Sequence, residues 1–494
     1  MSVVMSRPIS SAWCRAITLA SAIWLALGCS SAPDNARPSI VLVVIDTLRA
    51  DAVSAYGVVD DTTPAFDALA AQGLLYERAY APSPWTLPSH ASLLTGLGVE
   101  QHGVGVAGRM GLRAEFTTLA ERLRDAGYQT VGFSENPLVS SLFGFEQGFE
   151  QFFAITVEGA IKDALDPGSH SFDILHEVAT FAAARDRNRP FFLFANLLDP
   201  HSPYQKREQN RFLGPGVSLG TSWTAEALNA TPNRICDRLP NPDDLEALRG
   251  LYLGDVAAAD AKLGKIVALA REANGEDPLI IVATSDHGEH LGENRLLDHE
   301  FSVRAPVLNI PLVVQGLPHA PADRIETPVT LVDVAASMLR WAGAEIPPEV
   351  SGRPMPMLAS DAGRPQVDQL AVYSDENLRA PENWEKGLTP TDEARATKRS
   401  GCQPGDRVFG NMAALIRWPF KLIWFQRYPA ELYDLSWDPL ERSDLAKLRP
   451  EVSGPLIEEV RRLAGEIGLL DSSGETEVPS EAELEALRSL GYAE

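Results

Sequence analysis

The sequence has a deficit of positive charge, because 43 Lys and Arg residues stand against 67 Asp and Glu residues and give a net charge of −24. No basic stripe occurs in it, which argues against a nucleic-acid partner. An anionic substrate would be repelled at long range, so an anion site in this protein needs a metal ion or local cations. Low-complexity tracts and internal repeats are also missing. The 494 residues suffice for one large domain and a smaller one.

The N-terminal region lacks an apolar run long enough to cross a bilayer. Its run from Ala16 to Leu27 has 12 residues, a length that is typical of the apolar part of a secretory signal. The run ends in LALGC, which is similar to a bacterial lipobox with Cys29 as the lipidated residue; cleavage by ordinary signal peptidase is the alternative. We predict a signal peptide over 1–28, a tether over 29–38, and a lipid-anchored protein of the cell envelope, facing the periplasm or the outer surface.

Cysteine is scarce, with four residues in the chain. Cys14 would leave with the signal peptide, and Cys29 would be acylated. Cys236 and Cys402 remain, and in an oxidising periplasm they could form a disulfide or stay as two buried free thiols.

Four apolar runs along the chain end in polar residues. The runs are SIVLVVID ending at Asp46, YQTVGFSEN ending near Glu135 and Asn136, PFFLFANLLDPH ending at Asp199 and His201, and PLIIVATSDHGE ending at Asp286 and His287. Continuous apolar runs of this length favour strands buried on both faces of a sheet. Helical patterns lie between them, as at Thr117–Gly127 and Asp255–Ala273. This alternation predicts an α/β domain with a mostly parallel central sheet flanked by helices.

The pattern changes towards the C-terminus. AALIRWPFKLIW and AELYDLSWDPLERSDLAKL predict a strand pair followed by a turn and a helix, and GPLIEEVRRLAGEIG has apolar residues at helical spacing. We predict a main domain over 39–375 and a smaller α+β subdomain over 376–494. The polar segment from Ala380 to Arg407 is expected to be a long loop.

Ligands of such sheets bind beyond the carboxyl ends of the strands, where these runs place Asp, Asn and His. Asp286 and His287 follow one strand directly, and Asp46 can supply a third ligand to the same metal ion. Carboxylates are hard oxygen ligands, and the imidazole shifts the preference from calcium towards zinc or manganese. The sequence therefore predicts a divalent metal site for zinc, manganese or calcium.

Two further histidines lie near these motifs, His201 in DPHSPY and His299 in LDHEF. They could contact a substrate oxyanion, or join Asp199 in a second metal site. The alternative for DPHSPY is a turn built by its two prolines. Asn136 and Asp199 are candidate substrate-binding residues because each follows a strand end.

In these motifs the chain resembles the sulfatases, within the wider alkaline phosphatase superfamily. The resemblance lies in IVLVVIDTLRAD, WTLPSHASLLTG followed by EQHGV, TTLAERLRDAGYQT, LLDPHSPY, TSDHGEHLGE, TPVTLVDVAASMLRWAG, FKLIW and ELYDLSWDPLERSDLA, in the family's order. It covers nearly all of the mature chain and implies an alkaline phosphatase-like fold and a nucleophile on a bound metal ion. By motif match, Asp46, Thr86, Asp286 and His287 would hold the metal, and His201 and His299 would contact the transferred or leaving group.

The nucleophile motif departs from the family pattern at two positions. Where the sulfatase signature has Cys or Ser, x, Pro, x, Arg, this chain has Thr86 and ends the motif with His90. Thr cannot be converted to the formylglycine aldehyde of sulfatases, so no formylglycine is expected. Thr47 likewise replaces the second Asp that sulfatases carry after the first strand. A Thr-x-Pro-x-His loop is similar to that of nucleotide pyrophosphatases and phosphodiesterases, whose nucleophile is Thr.

An unmodified Thr86 can attack if a metal ion lowers the pKa of its hydroxyl. Pro88 suits the first helical turn, and a helix N-terminus beside Thr86 would favour an alkoxide and a bound anion. Water can hydrolyse a phospho-Thr intermediate, whereas a sulfo-Thr intermediate has no second hydroxyl to release it. With the roles that the resemblance implies for the histidines, Thr86, His90, His201 and His299 are the candidate catalytic residues.

We thus expect an ester hydrolase acting on a small-molecule or glycan ester, with phosphate mono- or diesters favoured over sulfate esters. A phospho-group transferase of the cell envelope and a non-catalytic sulfatase-like binding lipoprotein are the alternatives. Taken alone, the motif around Thr86 would also fit an inactive site in which Thr86 only caps a helix. A purely structural envelope lipoprotein is a further alternative.

Overall fold

The computed structural model describes residues 37–59, 61–106, 109–165, 171–204, 211–213, 242–299, 301–358, 368–374, 410–470 and 480–490. The predicted signal peptide, Cys29, Cys236, Cys402 and the loop from Ala380 to Arg407 lie outside these residues. Within the described ranges, no helix is both long enough and apolar enough to cross a membrane.

The strands are numbered in chain order. They are β1 (Ser39–Ile45), β2 (Gly73–Tyr76), β3 (Ala79–Tyr80), β4 (Gln129–Ser134), β5 (Gln151–Ala154), β6 (Phe191–Leu197), β7 (Leu279–Thr284), β8 (His290–Leu291), β9 (Leu297–Asp298), β10 (Asn309–Ile310), β11 (Leu312–Gln315), β12 (Asp323–Ile325), β13 (Val329–Thr330), β14 (Gln369–Tyr373), β15 (Met412–Arg417), β16 (Phe420–Phe425) and β17 (Glu431–Asp434).

The α-helices are numbered in the same way. They are α1 (Pro64–Ala70), α2 (Thr86–Thr95), α3 (Val99–His102), α4 (Leu119–Asp125), α5 (Val157–Leu165), α6 (Ile174–Ala184), α7 (Pro242–Asn274), α8 (Ala305–Leu308), α9 (Leu331–Trp341), α10 (Pro450–Glu466) and α11 (Glu481–Ser489). Short 3₁₀ turns lie at Ala50–Ala52, Ser54–Tyr56, Ser141–Phe143 and Glu293–Arg295.

The central sheet has eight strands in the order β12-β2-β11-β7-β1-β6-β4-β5. All of its neighbouring pairs are parallel except the two that β11 makes with β2 and β7. The prediction of a mostly parallel sheet is therefore confirmed. The four apolar runs found in the sequence are the adjacent strands β7, β1, β6 and β4.

Both faces of the sheet are buried, as the apolar runs predict. On β1, Ile40, Leu42 and Val44 contribute to one hydrophobic cluster, and the alternate residues Val41 and Val43 contribute to another on the opposite face. Side chains alternate along a strand, so a strand covered on both faces needs apolar residues at every position.

Helices cover both of these faces. The predicted helix at Thr117–Gly127 is confirmed as α4, which Thr118 caps by accepting a hydrogen bond from the backbone N–H of Glu121. The helix predicted from Asp255 begins earlier, at Pro242. Gly250 and Gly254 weaken the helical pattern there, but the buried side chains of Leu251 and its neighbours on the same face stabilise the added turns.

A four-stranded antiparallel sheet, β14-β15-β16-β17, lies in the C-terminal part of the chain. The predicted strand pair is β15 and β16, and β17 adds a third strand where ELYD stands in the sequence. Helix α10 packs on this sheet through Leu456, Val460 and Ala464. The chain from Arg37 onward forms one compact unit, so the subdomain boundary at residue 376 stays a prediction.

Candidate active site

Polar residues converge at the carboxyl edge of four adjacent strands. Asp286 follows β7, Asp46 follows β1, His201 follows β6 and Asn136 follows β4. Because these strands are parallel neighbours, their carboxyl ends meet at one edge of the sheet. The sequence prediction that these residues share a site agrees with this placement.

Three of these side chains form a group that could hold a metal ion. One ligand atom each from Asp46, Asp286 and His287 lies within 4.8 Å of the others, and all three residues are fully buried. Among the described residues, Asp46 Oδ1 and Asp286 Oδ2 have no hydrogen-bond partner. Two such buried carboxylate oxygens and an imidazole nitrogen are donors that suit a divalent cation, so these residues fit the predicted metal.

Hydrogen bonds to backbone groups fix the orientation of the Asp286 and His287 side chains in the loop after β7. Asp286 Oδ1 accepts from the N–H of His287 at 2.9 Å and from the N–H of Thr47 at 3.3 Å. The His287 Nδ1–H donates to the Gly288 carbonyl at 3.0 Å. Its Nε2 then points at the carboxylates, 3.4 Å from Asp286 Oδ2 and 3.9 Å from Asp46 Oδ1. A Cβ on Gly288 would lie 2.1 Å from the Pro306 carbonyl, so this turn needs glycine.

Burial dominates the electrostatics of the three residues. It raises the pKa of Asp46 to about 6 and that of Asp286 to about 7, and the negative charge of Asp286 adds to the rise at Asp46. Burial also lowers the pKa of His287 to about 4, so this imidazole is neutral at neutral pH. No Lys or Arg among the described residues forms an ion pair with Asp46, Asp286 or His287.

Thr86 is the first residue of α2, and the predicted helix with Pro88 in its first turn is confirmed. Its Oγ1 lies 3.5 Å from His287 Nε2, so the hydroxyl faces the Asp46, Asp286 and His287 group. Thr86 is fully buried together with the rest of α2. The geometry thus brings together the four predicted metal ligands.

His90 lies one turn further along α2, beneath Thr86. Its Nδ1 is 3.1 Å from the Thr86 carbonyl oxygen and 3.4 Å from Asp286 Oδ2, and its Nε2 is 3.2 Å from Asn196 Nδ2. The rings of Phe145 and Phe194 meet it edge-on. Burial lowers its pKa to about 3, so His90 brings no positive charge to the site.

His201 and His299 stand beside His287. The ring centroids of His299 and His287 are 4.4 Å apart, and those of His299 and His201 are 5.5 Å apart. The His299 Nδ1–H donates to the Pro84 carbonyl at 3.0 Å, while its Nε2 lies 3.4 Å from Asp298 Oδ1. The structure therefore groups both histidines with the predicted metal ligands.

The two predicted substrate-binding residues have protein partners. Asn136 Nδ2 donates to Asp46 Oδ2 at 2.7 Å. Asp199 Oδ2 lies 2.7 Å from Lys262 Nζ, which also contacts Glu135 Oε1 at 2.6 Å. In this structure Asn136 therefore bonds Asp46, and Asp199 pairs with Lys262. Their contact with substrate stays a prediction.

Sequence reasoning missed two residues that support the site. Asn196 interrupts the apolar strand β6 and is fully buried, and an isolated polar residue in such a run was the signal that could have identified it. Tyr252 on α7 donates from its hydroxyl to the Thr47 carbonyl at 2.9 Å and accepts from the Arg49 N–H at 2.9 Å. It supports the turn in which Thr47 has a φ of 53°.

The chain is similar to known proteins in both sequence and fold. The Sulfatase family model matches residues 38–344. The chain is 24% identical over 419 residues to the N-acetylglucosamine-6-O-sulfatase of Bacteroides thetaiotaomicron, covering 69% of this chain and 74% of that protein. It is 23% identical over 469 residues to arylsulfatase K of Xenopus laevis, covering 85% of this chain and 81% of that protein.

Among solved structures, the phosphonate monoester hydrolase of Agrobacterium radiobacter is similar with a TM-score of 0.65 and 22% identity, covering 87% of this chain and 96% of that one. The fold likeness therefore extends over nearly the whole of that structure, and the predicted alkaline phosphatase-like architecture is confirmed.

Proposed function

This chain belongs to the sulfatase family and is a hydrolase acting on ester bonds, and from this premise we propose that it cleaves phosphate mono- or diesters with Thr86 as the nucleophile of a metal-dependent reaction. The observation that carries the proposal is the 3.5 Å distance between Thr86 Oγ1 and His287 Nε2. This distance supports the proposal because it brings the Thr86 hydroxyl close to a candidate metal ligand, and Thr86 matches the formylglycine position of the sulfatase motif in sequence.

Asp46, Asp286, His287 and Thr86 would hold the metal. A bound divalent cation would offset the two carboxylate charges, lower the pKa of the Thr86 hydroxyl and polarise the ester. Asp46 Oδ1 and Asp286 Oδ2 support this assignment, because neither oxygen has a hydrogen-bond partner among the residues that the structure describes. Zinc or manganese suits the mixed carboxylate and imidazole set better than calcium.

The reaction follows from the position of Thr86 at the start of α2. Its Oγ1 forms a bond to phosphorus while the bond from phosphorus to the leaving oxygen breaks, and the hydroxyl proton is lost to solvent. His201 and His299 are the imidazoles placed to contact the transferred group or the leaving group, and solvent supplies the proton that the leaving oxygen takes up. Water then cleaves the phospho-Thr86 ester and restores the hydroxyl.

Phosphate esters are favoured over sulfate esters by the chemistry of the nucleophile. Formylglycine releases sulfate through its second hydroxyl, and Thr86 has a single hydroxyl. Water must therefore attack the transferred group itself, a reaction that is accessible for a phospho-Thr ester. The similar proteins include both sulfatases and a phosphonate monoester hydrolase, so Thr86 is the feature on which this choice rests.

The natural ester is proposed to be a small molecule or a glycan, since a relative is named for sulfated N-acetylglucosamine. Attachment to the envelope membrane through a lipid on Cys29 stays part of the proposal.

The test is a side-by-side assay of the full chain stripped of metal and reloaded with zinc, manganese or calcium. The substrates are p-nitrophenyl sulfate, p-nitrophenyl phosphate and bis-p-nitrophenyl phosphate. We expect turnover of the phosphate esters, a loss of at least about 10³-fold in Thr86→Ala, and partial activity in Thr86→Ser. Thr95→Ala is the matched control, because Thr95 lies at the other end of the same helix, where its hydroxyl donates to the Ala91 carbonyl and accepts from the Leu97 N–H.

Acid quench and peptide mass analysis should find the phospho-group on Thr86. Sulfate turnover that survives Thr86→Ala would overturn the nucleophile assignment. Release of the phospho-group to an added sugar or lipid alcohol in preference to water would identify a transferase. Binding of the esters without turnover under every metal would identify a binding protein.

A further inference from the structure

An isolated amide lies in the strand beneath Thr86. Asn196 is the sixth residue of β6, a strand otherwise made of apolar residues, and its side chain is fully buried. Phe192 and Phe194 contribute to the cluster beneath α2. Since side chains two apart share a face, Asn196 points to the same side, towards His90.

The amide and the imidazole meet directly. Asn196 Nδ2 lies 3.2 Å from His90 Nε2. On its other side, Asn196 Oδ1 lies 3.4 Å from the Ser134 hydroxyl, which makes its shorter hydrogen bond, of 3.0 Å, to the Asn136 carbonyl. Ser134 Oγ also accepts from the backbone N–H of Asn136 at 3.1 Å, and the Asn136 side chain holds Asp46. The amide therefore connects His90 with the loop that supports a predicted metal ligand.

The chemistry of these atoms selects one tautomer of His90. The Thr86 carbonyl oxygen can only accept, so the 3.1 Å contact with Nδ1 requires a proton on Nδ1. A neutral imidazole has a single N–H, so Nε2 accepts, and Asn196 must present its NH₂ group to it. The closed apolar setting between Phe145 and Phe194 suits a neutral ring.

We propose that Asn196 is a positioning residue: it fixes His90 as the tautomer with its proton on Nδ1, and this N–H holds the Thr86 carbonyl beside Asp286. The Nδ1 atom also lies 3.4 Å from Asp286 Oδ2, so this bond holds the start of α2 next to a predicted metal ligand. The effect on turnover rests on the proposed role of Thr86, whereas the tautomer itself does not.

The first test is a nitrogen-15 NMR spectrum of histidine-labelled full chain loaded with zinc, which reports which ring nitrogen carries the proton. The His90 signals are assigned by their loss in His90→Gln. Buried His102 is the internal reference, because its Nδ1 accepts a hydrogen bond from the Val104 N–H and its Nε2 contacts Ser92 Oγ. We expect a proton on Nδ1 of His90 and the opposite pattern at His102. A proton on Nε2 of His90 and none on Nδ1 in the spectrum of the wild-type protein would by itself overturn the proposal.

The second test is Asn196→Asp, which keeps the shape and presents a carboxylate to Nε2. We expect Nε2 to become protonated, with a fall in kcat and in zinc affinity by isothermal titration, each roughly 10- to 100-fold. Asn411→Asp is the matched control, because Asn411 is a buried amide directly before β15 that donates to the Leu469 carbonyl. It should leave kcat and zinc affinity unchanged.

These results separate the positioning role from the proposed reaction. An unchanged His90 tautomer, or unchanged kcat and zinc affinity, in folded Asn196→Asp protein overturns the positioning role. A failure of Thr86 as nucleophile would appear in the ester assays while the wild-type tautomer result still stood.

Discussion

Asn136 donates a hydrogen bond of 2.7 Å from Nδ2 to Oδ2 of Asp46. The amide is held in turn by the Leu138 N–H, which donates to Asn136 Oδ1 at 2.8 Å. The other carboxylate oxygen, Asp46 Oδ1, has no hydrogen-bond partner among the described residues and faces His287. Asn136 therefore turns one oxygen of Asp46 towards the candidate metal site.

Replacing this amide should weaken metal binding. We expect Asn136→Leu to lower zinc affinity about 10- to 100-fold, because Asp46 loses the partner that orients it. Isothermal titration measures the affinity, and the exposed Asn188→Leu is the control. If Asn136→Leu instead raises KM and leaves metal affinity unchanged, Asn136 binds substrate rather than positioning Asp46.

Metal affinity should fall as the pH is lowered. Asp46 and Asp286 have pKa values raised to about 6 and about 7 in the metal-free protein, so both take up protons as the pH falls through this range. A cation must displace those protons, whereas His287, with a pKa of about 4, stays neutral and adds little. Between about pH 8 and pH 5.5, we expect manganese affinity to drop roughly 100-fold. A constant affinity across this range would show that the carboxyls are not its ligands.

The two histidines beside His287 should affect turnover and not metal binding. We expect His201→Gln and His299→Gln each to lower kcat/KM roughly 10²- to 10⁴-fold, as for groups that transfer protons or contact the transferred group. Metal affinity and stoichiometry, measured by titration and elemental analysis, should remain those of the wild type. Loss of one bound metal ion in either variant would instead support the second metal site considered for these residues with Asp199.

A buried ion pair should stabilise the C-terminal sheet. Lys421 Nζ on β16 lies 2.5 Å from Glu441 Oε1, and both side chains are almost fully buried. Lys421→Met removes the close partner of the buried Glu441 carboxylate and leaves Arg304 3.9 Å away from it. This change should reduce the free energy of unfolding by about 3–5 kcal/mol. Urea unfolding measures this loss.

The exposed Arg462 is the control, since it pairs with Glu459 and Glu466 at the surface, and Arg462→Ala should cost below about 1 kcal/mol. The double variant Lys421→Met, Glu441→Leu should recover much of the loss. A single variant as stable as the wild type would contradict a structural role for the pair.

The arrangement of the site was only partly accessible from the sequence. Asp46, Asp286 and His287 could be assigned together because each directly follows an apolar run, and the parallel strands bring such ends to one edge. Their order in the sheet, with β1 between β7 and β6, is set by long-range packing and has no local signal. The same holds for Lys262, which joins Glu135 to Asp199 from a helix distant in sequence.

The contacts of His90 could not be predicted by motif matching. The motif identified it as the residue in place of the family's Arg, but its contacts with Asn196 and the Thr86 carbonyl depend on how α2 lies over β6. Local sequence patterns also did not predict strand β17 or the early start of α7 at Pro242, because burial against neighbouring elements stabilises both.

The sequence by itself determined the mostly parallel α/β architecture and the family, and it identified the candidate metal ligands, since hydrophobic periodicity, motifs and the residues at strand ends are local properties. Tertiary structure decided the Nδ1–H of His90, the orientation of Asp46 by Asn136 and the meeting of three histidine rings. These depend on distances between side chains that are far apart in the chain, and only the packed sheet and its covering helices bring them within hydrogen-bonding reach.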